Sequence, residues 1–344
     1  MSAPSSLLLV APDGPSSVPP ETELLGLPIV RRTALTARRA GFSRVAVAGV
    51  TPGSPLARAL DGIDVERLAA GAPAPEGAVV LPWNRVLRTS EVRRIASGHP
   101  AADLGVPVGS PADLPRAERW LLRSLIRDTE GFMSRRFERP VSLAVSRRLA
   151  HTSVTPNQMT LVSVAIGFFG ALFFLSERPA LQTLGALAFL LHSILDGCDG
   201  ELARLKLLES RFGGILDFWG DNVVHAAIFG CMAIGWSRAA GAAWPLWLGA
   251  AAVAGTFASA GFVYWSTMRG VREGPLFVSV TNEVDGAVSR VADLLGRRDF
   301  IYLVIALSLF GKANWFLVAA AAGAPIFFVV LLSLEWRRSR RKAS

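Results

Sequence analysis

Four aspartates fall at two helical spacings within one short stretch of the chain. Asp196 and Asp199 are three residues apart, and Asp217 and Asp221 are four apart. Each pair therefore shares one face of any helix that carries it. The first pair lies at the end of an apolar run over 180–197, and the second at the start of a run over 214–236. Carboxylates at the edge of a membrane helix are costly unless they are paired, wet or metal-bound. A short connection between the runs would bring the two faces together. Four carboxylates aimed at one small volume repel unless cations neutralise them. Magnesium or manganese, which favour oxygen ligands, are the expected occupants. Two such ions about 3.5–4 Å apart assist displacement at phosphorus.

The intervening residues suit a ligand that approaches the helix backbone. Gly200 lies one turn after Asp196, Ala203 one turn after Asp199, and Gly213 one turn before Asp217. Arg204 adds a fork-shaped donor matched to phosphate. His192 lies one turn before Asp196 and His225 one turn after Asp221; each reads equally well as support for the site or as a core histidine. Cys198 reads as a small filler. No CxxC pattern is present, so neither a zinc site nor a disulfide framework is indicated.

The elements that must position these residues are membrane helices. Half of the 344 residues are hydrophobic, and from about residue 158 they gather into long runs. Six spans are expected, over 158–176, 180–197, 214–236, 240–265, 299–311 and 315–335, the fifth being short for a bilayer of about 30 Å. Arg269, Arg272, Arg290, Arg297 and Arg298 follow the fourth span, and Arg337, Arg338, Arg340, Arg341 and Lys342 follow the sixth. The opposite loops carry Arg178, Arg238 and Lys312. The positive-inside rule then places both termini and the aspartates in the cytoplasm. The net charge of +9 is accounted for by arginines flanking apolar runs, so no nucleic acid partner is expected. Tryptophans such as Trp236, Trp244, Trp247 and Trp336 read as interface anchors.

Ahead of the spans, 117–150 interleaves Leu121, Leu122, Leu125 and Ile126 with arginines. It reads as one or two amphipathic helices on the membrane surface, broken near Pro140. The front of the chain is different. Apolar runs over 6–11, 44–50 and 78–81 alternate with helical patterns ending at Ala40 and running over 90–96, as in a small soluble α/β domain with a parallel sheet. The run over 6–10 is too short, and lacks the basic residues, for a signal peptide, so this half is expected to stay in the cytoplasm. Three regions result: an α/β domain over 1–115, juxtamembrane helices over 116–150 and a six-helix membrane domain over 151–340.

The spacing from Asp196 to Asp221 is D-x2-D-G-x2-A-R-x8-G-x3-D-x3-D. It resembles the signature of the CDP-alcohol phosphotransferase family over about residues 117–340, and Thr155-Pro156-Asn157-Gln158-Met159-Thr160 resembles that family's approach to its first span. The resemblance implies metal-dependent transfer of a phosphoalcohol or phosphatidyl group from a CDP-linked donor to an alcohol acceptor, with release of CMP, in phospholipid or polyol-phosphodiester synthesis. It implies that Asp196, Asp199 and Asp217 bind magnesium or manganese, and that Asp221 is the general base and also touches a metal. Gly200, Ala203 and Gly213 would make room for cytidine, Arg204 would hold donor phosphate, and Asn157 would help position the nucleotide. Membrane lipid and a second copy of the chain are the other expected partners. Arg269, Arg272, Arg297 and Arg298 are candidates for an acceptor phosphate.

Residues 6–50 resemble the start of a sugar-phosphate nucleotidyltransferase, through Leu7-Leu8-Leu9-Val10-Ala11, Gly26-Leu27-Pro28-Ile29-Val30 and Arg38-Arg39-Ala40-Gly41-Phe42. That family holds its triphosphate with a glycine-rich turn bearing an arginine, followed by a lysine. Here the turn is Ala11-Pro12-Asp13-Gly14-Pro15, and no lysine precedes Lys206. The domain therefore reads as a degenerate relative that has lost catalysis. A bifunctional inositol-phosphate-type synthase with an active front domain is the alternative. A metal-ion transporter and a non-catalytic membrane scaffold are the readings from other classes.

Overall fold

The structure, a computed structural model, describes residues 6–12, 17–126, 132–268 and 300–343, with side chains throughout except at 267–268 and 337–343. The chain forms two compact units. One comprises Met1–Ile126, Arg147–Ser153 and Arg204–Leu208; the other comprises Arg127–Ser146, Val154–Ala203 and Glu209–Ser344.

The first unit is built on strand β1 (Ser6–Val10), whose Leu7 and Leu9 are fully buried. An unbroken apolar strand needs cover on both faces, as a central parallel strand has. The hairpin of β2 (Glu23–Leu24) and β3 (Leu27–Pro28) follows, and then helix α1 (Ile29–Ala40). Next come β4 (Arg44–Val47), α2 (Pro55–Ala59), β5 (Glu66–Arg67) and β6 (Val79–Pro82). The sheet order is β5-β4-β1-β6, all parallel, with Leu7 level with Val45 on one side and Val79 on the other. The antiparallel pair β7 (Arg85–Val86) and β8 (Val106–Pro107), with α3 (Thr89–Ala96) between them, and α4 (Leu114–Arg123) complete the α/β region. Gly41 ends α1 in the left-handed region, at φ 106°, as the sequence leads one to expect.

The β2–β3 turn has Leu25 at φ 51° and Gly26 at φ 75°, the tight hairpin turn with two left-handed residues. A Cβ at position 26 would overlap the carbonyl of Ala150. Beside this turn, the buried Arg32 donates to the carbonyls of Leu24 at 2.7 Å and Leu205 at 2.8 Å. Burial pushes the Arg32 pKa down to about 10, which still leaves it charged at neutral pH. A buried charge that satisfies carbonyl oxygens in this way holds its neighbours in place.

The second unit is helical. Helix α5 (Arg139–Leu149), which runs on into the first unit at its end, is not broken at Pro140. A π-turn over Ser134–Glu138 precedes it, and the Arg139 N–H reaches the Ser134 carbonyl five residues back. The wider turn absorbs both the missing proline N–H and the clash its ring would make with the preceding turn. Helix α6 (Pro156–Leu172) starts at a capping box, with Gln158 N–H donating to Thr155 Oγ1 and Thr155 N–H to Gln158 Oε1. Then come α7 (Pro179–Leu205), α8 (Arg211–Ala240), α9 (Trp244–Val263), α10 (Phe300–Leu309) and α11 (Ala313–Ala343). Among the described residues, five helices are long and apolar enough to cross a membrane: α6 with the turn after it (Pro156–Leu175), α7 to α9, and α11. The expected fifth span, α10, has ten described residues, about 15 Å of helix against a core of about 30 Å. Among the described residues there are thus five long apolar helices and one short one, the short one falling where the short fifth span was expected.

These helices approach closely through small residues, as helices in lipid do. A Cβ at Gly255 of α9 would lie 2.6 Å from the Pro325 nitrogen of α11, and one at Gly167 of α6 would lie 2.6 Å from Val224 of α8. Gly261, also on α9, has nothing within 4 Å of that position. Gly255→Ala is therefore expected to lower the stability of the purified chain by about 1–3 kcal/mol through overpacking against backbone. Gly261→Ala is expected to leave the unfolding midpoint unchanged, and thermal unfolding in detergent checks both.

Candidate functional site

Helix α7 carries Asp196, Asp199, Gly200, Ala203 and Arg204, and α8 carries Gly213, Asp217 and Asp221. Helix α7 continues more than two turns beyond Asp196. Ser210 starts α8, its hydroxyl accepting from the Gly213 N–H at 3.0 Å. This cap fixes where α8 begins and so which way Asp217 and Asp221 face.

One carboxylate oxygen from each of Asp196, Asp217 and Asp221 lies within 4.8 Å of the other two. Asp217 Oδ1 is buried without a hydrogen-bond partner among the described residues. Repulsion from Asp196, Asp199 and Asp221 converges on Asp217. Hard carboxylate oxygens, clustered and shielded from water, are the donor set that a divalent cation such as magnesium or manganese takes. The residues present therefore fit a metal.

Asp199 is buried and lies outside this cluster of three. Its Oδ2 accepts a hydrogen bond from the buried Thr160 hydroxyl of α6, which fixes how the carboxylate is turned. Thr160 is a site residue that sequence reasoning passed over. Its signal was available, because Thr160 is three residues after Asn157 and shares that residue's helix face. The structure brings Asn157 and Gly213 together in another way. The space at Gly213 is taken by Asn157 Oδ1, 2.8 Å from where a Cβ would sit, and by Ser210 Oγ at 3.1 Å.

His192 faces the site. It is buried, and its Nδ1 lies 2.9 Å from the Ser163 carbonyl. A carbonyl only accepts, so Nδ1 carries the proton and Nε2 is the atom that lies 3.5 Å from Asp221 Oδ1. His225 instead packs edge-on to Phe189 at 5.5 Å, in an aromatic cluster with Phe300. Cys198 is fully buried and donates to the Ile194 and Ser142 carbonyls, as a filler does. Arg269, Arg272, Arg297 and Arg298 lie outside the described residues.

Comparison with known proteins locates this geometry. A sequence model described as CDP-alcohol phosphatidyltransferase matches residues 153–331. The chain is 40% identical over 127 residues to a bifunctional IPC transferase and DIPP synthase of Thermococcus kodakarensis, covering 37% of this chain and 28% of that protein. It is 34% identical over 252 residues to the protein of the same description from Rubrobacter xylanophilus, covering 69% of this chain and 55% of that one. The chain thus spans about half, or less, of the length of these relatives. Among solved structures, the phosphatidylinositol phosphate synthase of Mycobacterium tuberculosis with CDP-DAG bound aligns at 20% identity with a TM-score of 0.39, covering 57% of this chain and 94% of that one.

Titrating the purified chain with Mn2+ and following the free ion by electron paramagnetic resonance tests the metal assignment. Asp217→Asn is expected to abolish tight binding. Thr160→Val, which removes only the hydroxyl that turns Asp199, is expected to weaken it about 10-fold, as the loss of a partner behind a ligand does. Unchanged binding in both variants would mean that the carboxylate cluster does not hold the ion.

Proposed function

The chain belongs to the CDP-alcohol phosphatidyltransferase family, and on that premise we propose that it transfers a phosphoalcohol or phosphatidyl group from a CDP-linked donor to an alcohol acceptor, releasing CMP. The observation that carries this reading is the convergence of Asp196, Asp217 and Asp221 from two helices. Magnesium or manganese, two ions in this reading, would be held by these carboxylates with Asp199 and would supply charge neutralisation at the donor diphosphate. Asp221 takes the proton of the acceptor hydroxyl. The acceptor oxygen then bonds to the β-phosphorus, and the bond from that phosphorus to the bridging oxygen breaks, so that CMP leaves with the electron pair. His192 Nε2 lies 3.5 Å from Asp221 Oδ1 and, when the ring carries a second proton, holds that carboxylate by charge. Arg204 binds donor phosphate. Gly200 and Ala203 leave room for cytidine beside α7, and Asn157, seated against Gly213, positions the nucleotide.

The product is a phospholipid or a polyol phosphodiester, made in the membrane by a homodimer. The distribution of arginines supports a cytoplasmic site with both termini on the same side. The acceptor phosphate, where the acceptor carries one, falls to Arg269, Arg272, Arg297 or Arg298. In a second reading the front domain is also active and makes the CDP-linked donor. The alignment of 252 residues to the Rubrobacter relative favours it, because that is longer than the segment 153–331. The absence of any lysine before Lys206 weighs against it.

The purified chain is expected to release CMP from a CDP-linked donor in the presence of an alcohol acceptor, and only with Mg2+ or Mn2+ present. Asp221→Asn should lower kcat by about 10²–10⁴-fold, the usual worth of a positioned base. CMP release without a divalent ion would contradict the metal role. A rate in Asp221→Asn within twofold of the unsubstituted chain would contradict the base role.

A further inference from the structure

Glu201 sits at a variable position of the aspartate motif, two residues after Asp199. Its side chain is fully buried, at 0% exposure. A buried carboxylate is tolerated only when its oxygens are well supplied with donors, and Glu201 is. Its Oε1 accepts from Arg139 Nη1 at 2.7 Å and from Ser142 Oγ at 2.7 Å, and its Oε2 accepts from Ser146 Oγ at 2.6 Å. All three donors come from α5. The bonds continue along the same face of α7. Ser193 Oγ donates to the buried Glu138 at 3.1 Å, and Glu138 also accepts from Tyr302 of α10 at 3.2 Å. Between Ser193 and Glu201, Gly197 lets the Arg139 guanidinium lie against the helix, since a Cβ there would be 3.1 Å from Nη1.

Ser193, Gly197 and Glu201 are spaced four apart and form one stripe on α7. Asp196 and Asp199 form another. At about 100° per residue the centres of the two stripes are about 130° apart. A helix gripped along one stripe cannot rotate to move the other.

We infer that Glu201 is a positioning residue for the aspartate site: through Arg139, Ser142 and Ser146 it fixes the rotation of α7, and so the direction in which Asp196 and Asp199 face Asp217 and Asp221. This rests on the metal-dependent reading of the cluster. Glu201 touches neither substrate nor metal in this role. The π-turn before α5 belongs to the same device, because it delivers Glu138 and Arg139, consecutive residues, to the same side of α7.

The test uses the full chain in detergent with three readouts: Mn2+ affinity by electron paramagnetic resonance, thermal unfolding, and the kcat of CMP release. Glu201→Gln keeps the shape of the side chain but leaves Arg139 facing a neutral group. The double variant Arg139→Met/Glu201→Met removes both charges of the pair at similar volume, a change that often preserves stability. Glu201→Gln is expected to bind Mn2+ about 10-fold more weakly, as ligand-supporting residues do when altered, and to lose kcat without a matching rise in KM. The double variant is expected to recover the unfolding temperature but not the Mn2+ affinity. Recovery of both together would show that the network serves stability alone and would overturn the inference, as would Mn2+ affinity within twofold of the unsubstituted chain in either variant. If neither variant folds, Ser146→Ala, which removes one hydroxyl, decides the matter by a weakening or its absence. Should the unsubstituted chain bind no Mn2+, it is the metal reading that fails.

Discussion

Three carboxylates held within 4.8 Å of one another are the constraint to which the helical unit is fitted. At that separation each pair of unit charges repels by about 3–4 kcal/mol in an effective dielectric of 20. Three such pairs approach the whole folding stability of an ordinary domain, about 5–15 kcal/mol. No fold accumulates that much repulsion by accident. The charge is offset either by a proton kept within the cluster or by a cation from outside. A divalent ion does this and at the same time provides a place for a phosphate to bind.

Holding the carboxylates together requires stiffness on both sides. On α8 the stiffness comes from the Ser210 cap and from the close packing of Val224 against Gly167 of α6. On α7 it comes from the polar seam running from Ser193 to Glu201. Thr160 turns Asp199, and His192, held by the Ser163 carbonyl, stands behind Asp221. In the other unit the buried Arg32 guanidinium likewise ties two segments, its terminal nitrogens donating to the carbonyls of Leu24 and Leu205.

The sequence shows the aspartate pairs because helical spacing is a local property, and the i,i+3 and i,i+4 intervals survive unchanged in α7 and α8. It shows the parallel sheet because the strands over 6–10 and 79–82 are short and apolar. It does not show that the helix over 139–149 runs through Pro140, because that depends on a π-turn which a one-letter pattern does not reveal. It does not show the Glu201 network, because a glutamate, an arginine and two serines, Glu201, Arg139, Ser142 and Ser146, look like surface residues until α5 and α7 are laid together. Nor does spacing tell that the gap at Gly213 receives Asn157 from α6. Residues brought together by long-range packing are the ones the sequence hides.

The most direct test of the central claim is the unfolding temperature of the purified chain as a function of divalent ion. If the carboxylates repel until a cation offsets them, Mg2+ or Mn2+ raises the unfolding temperature of the unsubstituted chain, and the rise grows with the ion concentration as binding to the folded state alone requires. In metal-free buffer, Asp217→Asn should then unfold at a higher temperature than the unsubstituted chain and should no longer respond to the ion. An unfolding temperature indifferent to divalent ions in the unsubstituted chain, or one lowered by Asp217→Asn in metal-free buffer, would contradict the claim.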